Sequence, residues 1–127
     1  MTNVKRRKVA IVDDDMAIRD SLQFLLEVIG YSVETFASAT DFLKAKTGNL
    51  ACLVLDYHMP EMTGLELVER LRAAGNGLAI LLVTGSSSAA IVSRAAELGV
   101  SGVLNKPPGE EDLLNFIAAT SAGASED

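Results

Sequence analysis

Short apolar runs and amphipathic stretches alternate along most of the chain. Val9–Ala10–Ile11–Val12, Leu53–Val54–Leu55, Ala79 to Val83 and Val103–Leu104 are runs of the kind that form strands buried on both faces of a sheet. Between them, apolar residues recur at helical spacing. Ile18, Leu22, Leu25, Leu26 and Ile29 form one stripe, closed by Gly30. Leu65, Val68, Leu71 and Arg72 suggest another helix, ended near Gly75–Asn76–Gly77. Ala89–Leu98 stops at Gly99, a C′ glycine, and Leu113, Phe116, Ile117 and Thr120 mark a last helix. Ser32–Phe36 alternates and predicts a strand, and Ser38 is placed to cap a short helix through Ala45. Tyr57–Gly64, which contains Pro60, and Gly85–Ser88 predict loops. Residues 121–127 carry nothing core-forming and are expected to fray.

Five strand–helix units with short loops imply an α/β fold, a doubly wound parallel sheet covered on both faces. Right-handed crossovers narrow the topology, and the flavodoxin-like (βα)5 order 2-1-3-4-5 fits the size. The 127 residues predict a single domain, with a core of about 7–120. In such a sheet ligands bind at the carboxyl ends of the strands, at the switch point between the first and third. Asp13–Asp14, Asp56, Thr84 and Lys106 each follow an apolar run and are therefore expected to meet in that crevice.

Composition narrows the chemistry. With 49% apolar and 22% charged residues the chain reads as an ordinary soluble globular protein. A net charge of -6 argues against nucleic-acid contact and against anionic membrane surfaces. The basic run Lys5–Lys8 reads as a solubilising cap. The single cysteine, Cys52, sits in an apolar run and reads as a small buried hydrophobe. One His and one Cys are too few for a structural zinc site. No apolar stretch approaches the roughly 20 residues of a membrane span, and the N-terminus lacks a signal-peptide core, so a cytoplasmic location is expected.

Asp15 is suited to capping the helix that follows it, but capping does not explain three further carboxylates. Acids sharing a site repel one another unless a cation joins them. Mg²⁺ prefers oxygen ligands and uses few protein carboxylates. The turn Asp13–Met16 has no glycine, so it is neither a dinucleotide fingerprint nor a phosphate-cradling loop.

Four segments now carry a resemblance: VAIVDDD at 9–15, LVLDYHMPEMTG at 53–64, VTG at 83–85 and NKP at 105–107. Together they resemble the receiver domain of bacterial two-component response regulators, over about residues 7–120. The resemblance implies a phosphoacceptor signalling switch. Asp56 would take a phosphoryl group from a sensor histidine kinase or histidine phosphotransfer protein. Asp13, Asp14, Asp56 and the backbone carbonyl of His58 would hold Mg²⁺; the His58 ring itself needs no role. Lys106 would pair with Asp56 and then with the phosphoryl group, and a cis Lys106–Pro107 bond would aim it inward. Thr84 would donate its hydroxyl, carrying loop 85–88 with it. Tyr57, His58 and Ser86 flank the pocket and would tune hydrolysis of the acyl phosphate.

Such a domain is not an enzyme in the usual sense; it catalyses only its own phosphorylation and dephosphorylation. Its output would pass through the face of the fourth helix, fifth strand and fifth helix, to a downstream protein, an effector domain or a second copy. Two departures stand out. Val103 occupies a position where many members carry Tyr or Phe, and Pro108 follows Pro107 where an aromatic is common. Two other readings compete. A hydrolase with an aspartyl-phosphate intermediate usually places a second acid two residues after the nucleophile, where this chain has His58. A pseudo-receiver would act by phosphorylation-independent protein binding, and the intact Asp13, Asp14, Asp56, Thr84 and Lys106 argue against it.

Overall fold

A computed structural model describes residues 8–45 and 47–124. The elements alternate as β1 (Lys8–Val12), α1 (Met16–Ile29), β2 (Ser32–Phe36), α2 (Ala39–Lys44), β3 (Leu50–Asp56), α3 (Gly64–Ala73), β4 (Ile80–Thr84), α4 (Ala89–Glu97), β5 (Gly102–Asn105) and α5 (Glu110–Ala124). All strand pairs are parallel, in the order β2-β1-β3-β4-β5. The doubly wound sheet expected from the alternation is the one observed.

Side chains alternate faces along each strand, which divides the core in two. Ala10, Val12, Leu53, Leu55 and Leu82 pack with Phe42 of α2, Leu67 and Val68 of α3 and Ala95 of α4. Val9, Ile11, Cys52, Val54, Leu81 and Val83 face the other way, against Leu26 of α1 and Leu113 and Ile117 of α5. With helices on both faces, β1, β3 and β4 are buried almost throughout, which explains their continuous apolar runs. Cys52 is fully buried, and burial pushes its thiol up to about 11, so it packs as the hydrophobe its setting predicts.

Polar residues set the helix starts. Asp15 accepts from the Ala17 and Ile18 amides at 2.9 and 3.3 Å, and Ser38 and Ser88 cap α2 and α4 through Asp41 and Ile91. Thr63 and Glu66 form a reciprocal capping box on α3. That box puts Gly64 inside the helix, not in the loop before it. A Cβ on Gly64 would lie 2.6 Å from the Asp56 carbonyl oxygen and 2.9 Å from Leu82 Cδ1, so only glycine lets α3 start this close to β3.

At the other end, α5 runs through Ala124. Residues 125–127 lie outside the described residues, as do Lys5–Arg7 of the basic run. Lys8, its last member, pairs with Glu34 at 3.5 Å.

Arg72, near the end of α3, ties three segments together. Its Nε donates to the Leu98 carbonyl at 2.7 Å, Nη2 to Gly99 at 3.2 Å, and Nη1 to both Asn76 and Leu78 at 3.0 Å. The C-terminal end of α4 and the entry to β4 are thereby fixed to α3. Among the described residues, no helix is long and apolar enough to cross a membrane.

Candidate functional site

The strand registers bring the polar residues to one edge. Val12 pairs with Leu55, Asp56 with Val83 and Thr84 with Asn105, so the residues that end or follow β1, β3, β4 and β5 share one crevice. Carboxylate oxygens of Asp13, Asp14 and Asp56 lie within 4.8 Å of one another. Lys106 Nζ sits 3.1 Å from Asp56 Oδ1 and 3.2 Å from Asp13 Oδ2. The acids and the lysine predicted from sequence do converge. The Lys106–Pro107 bond is cis.

Burial sets the electrostatics. Asp56 and Asp13 are buried, while Asp14 stands exposed at the rim. Burial pushes the Asp56 carboxyl up to about 6; the charge of Asp13 adds to this, and Lys106 opposes it. Burial also disfavours the Lys106 ammonium, but Asp56 and Asp13 outweigh it and hold the lysine above its ordinary value. Both Asp56 oxygens are buried; Oδ1 meets the Lys106 ammonium at 3.1 Å, and Oδ2 has no donor among the described residues. Three carboxylates against one ammonium, with Asp56 Oδ2 left without a donor, make a donor set that fits a hard divalent cation.

Thr84 is fully buried at the end of β4, and its Oγ1 accepts from the Ser86 amide at 3.2 Å. Among the described residues it makes no hydrogen bond to Asp56. His58 is exposed, its ring edge-on to Tyr57 with centroids 4.7 Å apart. The loop holding it closes where the Gly64 amide donates to the Tyr57 carbonyl at 2.9 Å. Val103 is half-buried and packs against the core cluster that includes Leu82 and Ala95. A cavity of about 540 Å³ adjoins the acids, walled by Ile18, Leu22 and Leu25 of α1 and by Pro107 and Leu113.

One residue at the crevice escaped the sequence reading. Arg19 donates through Nη1 to the Asp13 carbonyl at 2.7 Å. The available signal was a cation near the start of a helix, where the dipole disfavours it.

Comparison with known proteins agrees with this fold. Residues 9–118 match the family model of the response regulator receiver domain. The chain is 38% identical over 117 residues to the response regulator protein TmoT of Ectopseudomonas mendocina, covering 91% of this chain and 53% of that protein. It is 37% identical over 110 residues to the transcriptional regulatory protein FixJ of Bradyrhizobium diazoefficiens, covering 86% and 54%. The chain therefore spans about half the length of these curated relatives. A CheY-like response regulator receiver domain protein from Methanospirillum hungatei superposes with a TM-score of 0.87 at 30% identity, covering 96% of this chain and 98% of that one. The response regulator StyR gives 0.86 at 37% identity, covering 96% and 62%. With the strand order, the edge residues and the family match in accord, this chain belongs to the response regulator receiver domains of bacterial two-component systems.

Proposed function

We propose that the domain is a phosphoacceptor switch, with Asp56 as the residue that takes the phosphoryl group. The observation that carries this reading is the state of Asp56: buried, with Oδ1 beside the Lys106 ammonium and Oδ2 without a donor. One carboxylate oxygen attacks the phosphorus of a donor phosphohistidine. The O–P bond forms as the P–N bond breaks, and the imidazole leaves with the bonding pair and takes up a proton. Asp13, Asp14 and Asp56, with the backbone carbonyl of His58, would hold Mg²⁺. Bound there, Mg²⁺ supplies positive charge that offsets the carboxylates and the incoming phosphoryl oxygens.

Lys106 neutralises Asp56 and Asp13 at rest and turns to a phosphoryl oxygen after transfer. The Thr84 hydroxyl accepts from Ser86 and keeps its own hydrogen free to donate. When it does so, loop 85–88 follows, and the change passes to α4, β5 and α5. Val103 offers no ring to swing, so this face changes by displacement of α4 and its loop. The donor is a sensor histidine kinase or a histidine phosphotransfer protein. The recipient is a protein, an effector domain or a second copy meeting the α4/β5/α5 face. The net charge of -6 supports protein partners over nucleic acid for this domain, and cytoplasmic signalling suits this assignment.

Intact-mass measurement after incubation with acetyl phosphate and Mg²⁺ tests the reading. The expected product carries one added phosphoryl group, is absent without Mg²⁺ and is absent in Asp56→Asn. No adduct on the unaltered protein, together with retained partner binding, would instead identify a pseudo-receiver.

A further inference from the structure

We propose that Arg19 is a positioning residue for the cation site, acting on Asp14 through the backbone of Asp13. The inference rests on the reading of Asp13, Asp14 and Asp56 as Mg²⁺ ligands. Arg19 lies in the first turns of α1, where the helix dipole disfavours a cation, so a local partner must compensate. That partner is the Asp13 carbonyl, 2.7 Å from Nη1 in a charge-assisted hydrogen bond. The side chain is half-buried and reaches back over the cap to the end of β1.

The acceptor atom explains the consequence. The Asp13 carbonyl lies in the rigid peptide plane that joins Asp13 to Asp14. Fixing that oxygen fixes the plane, and with it the direction in which Asp14 leaves the strand. Asp13 has supports of its own: its carboxylate accepts from the Asp15 amide at 2.9 Å and faces Lys106 at 3.2 Å. Asp14 has none; among the described residues its carboxylate makes no hydrogen bond or ion pair, yet it lies within 4.8 Å of the other two acids. Its place in the cluster is therefore set by the backbone, which Arg19 holds at the Asp13–Asp14 peptide and the Asp13 carboxylate holds at the Asp15 amide.

Charge and geometry make opposite forecasts. Removing a cation that sits 2.7 Å from the Asp13 carbonyl would, by electrostatics alone, tighten Mg²⁺ binding. Loss of positioning would weaken it, by about tenfold if Arg19 behaves like other outer-shell partners of metal ligands. The experiment measures Mg²⁺ affinity directly by calorimetric titration, for the unaltered protein, Arg19→Ala and Arg19→Gln. Alongside, it follows phosphorylation by acetyl phosphate as a function of Mg²⁺ concentration.

The expected result is weaker binding in both variants, a higher half-saturating Mg²⁺ concentration, and a maximal rate close to that of the unaltered protein. Arg19→Gln keeps most of the side chain and carries the test should Arg19→Ala fail to fold. Unchanged or tighter binding in the folded variants would overturn the positioning role while leaving the cation site standing. No Mg²⁺ binding by the unaltered protein would remove the cation site itself, and the inference with it.

Discussion

Asp56 holds its proton more tightly when folded, because it is buried beside Asp13. Its carboxyl rises from the ordinary 3.8 to about 6. Between those values the folded chain binds a proton that the unfolded chain has released. Without metal, its contribution is therefore favourable below pH 3.8, is lost as pH rises through about 6, and is flat above that. Asp56→Asn removes this loss. Its stability relative to the unaltered protein should thus improve from pH 4 to pH 8, by about 1–2 kcal/mol after allowing for solvent in the open crevice. Urea denaturation of both proteins at the two pH values, without divalent metal, checks this; an advantage that shrinks with rising pH would contradict it.

Among the elements, α4 is the most lightly held of the longer helices with described side chains. It and α1 each have one fully buried side chain, Ala95 and Leu26, but α4 adds only half-buried Ile91 where α1 adds Ile18, Leu22 and Leu25. Arg94 bridges to Glu69 and Glu97 at 3.0 and 2.8 Å, but these pairs are exposed, and such pairs contribute little. The Arg72 guanidinium differs, because it satisfies four backbone carbonyls, two of them in half-buried bonds. Arg72→Ala should cost about 2 kcal/mol, mostly from carbonyls left without a donor. Denaturant unfolding would read that loss. Hydrogen exchange should show faster opening at the C-terminal end of α4 and at the start of β4, and no change in α1.

At the scale of the whole molecule, Mg²⁺ should stabilise the fold by mass action. At a hundred times its dissociation constant it should add about 2.7 kcal/mol, and Asp56→Asn should lose most of that gain. Thermal melts with and without the ion check both statements. The sheet order and the convergence of Asp13, Asp14, Asp56 and Lys106 were legible in the sequence. Strand-buried runs and the polar residues that follow them are local patterns, and parallel topology then fixes their meeting place. What stayed hidden depends on distance through space. Arg72 reaches carbonyls 26 and 27 residues away, and a backbone acceptor leaves no mark on residue identity. Gly64 looked like any loop glycine until the approach of β3 became visible. Val103 was readable as a departure, and its half-buried seat against the core was not.

The placement of the Arg72 clasp has a mechanical corollary. It pins α4 beside Leu98 and Gly99, while the opposite extremity begins at Ser88 on the Thr84 loop. A push delivered at Ser88 becomes a swing about a pivot, not a slide. The rod is about 13 Å long, so a tilt of roughly ten degrees carries Ala89 roughly 2 Å while Glu97 stays almost still.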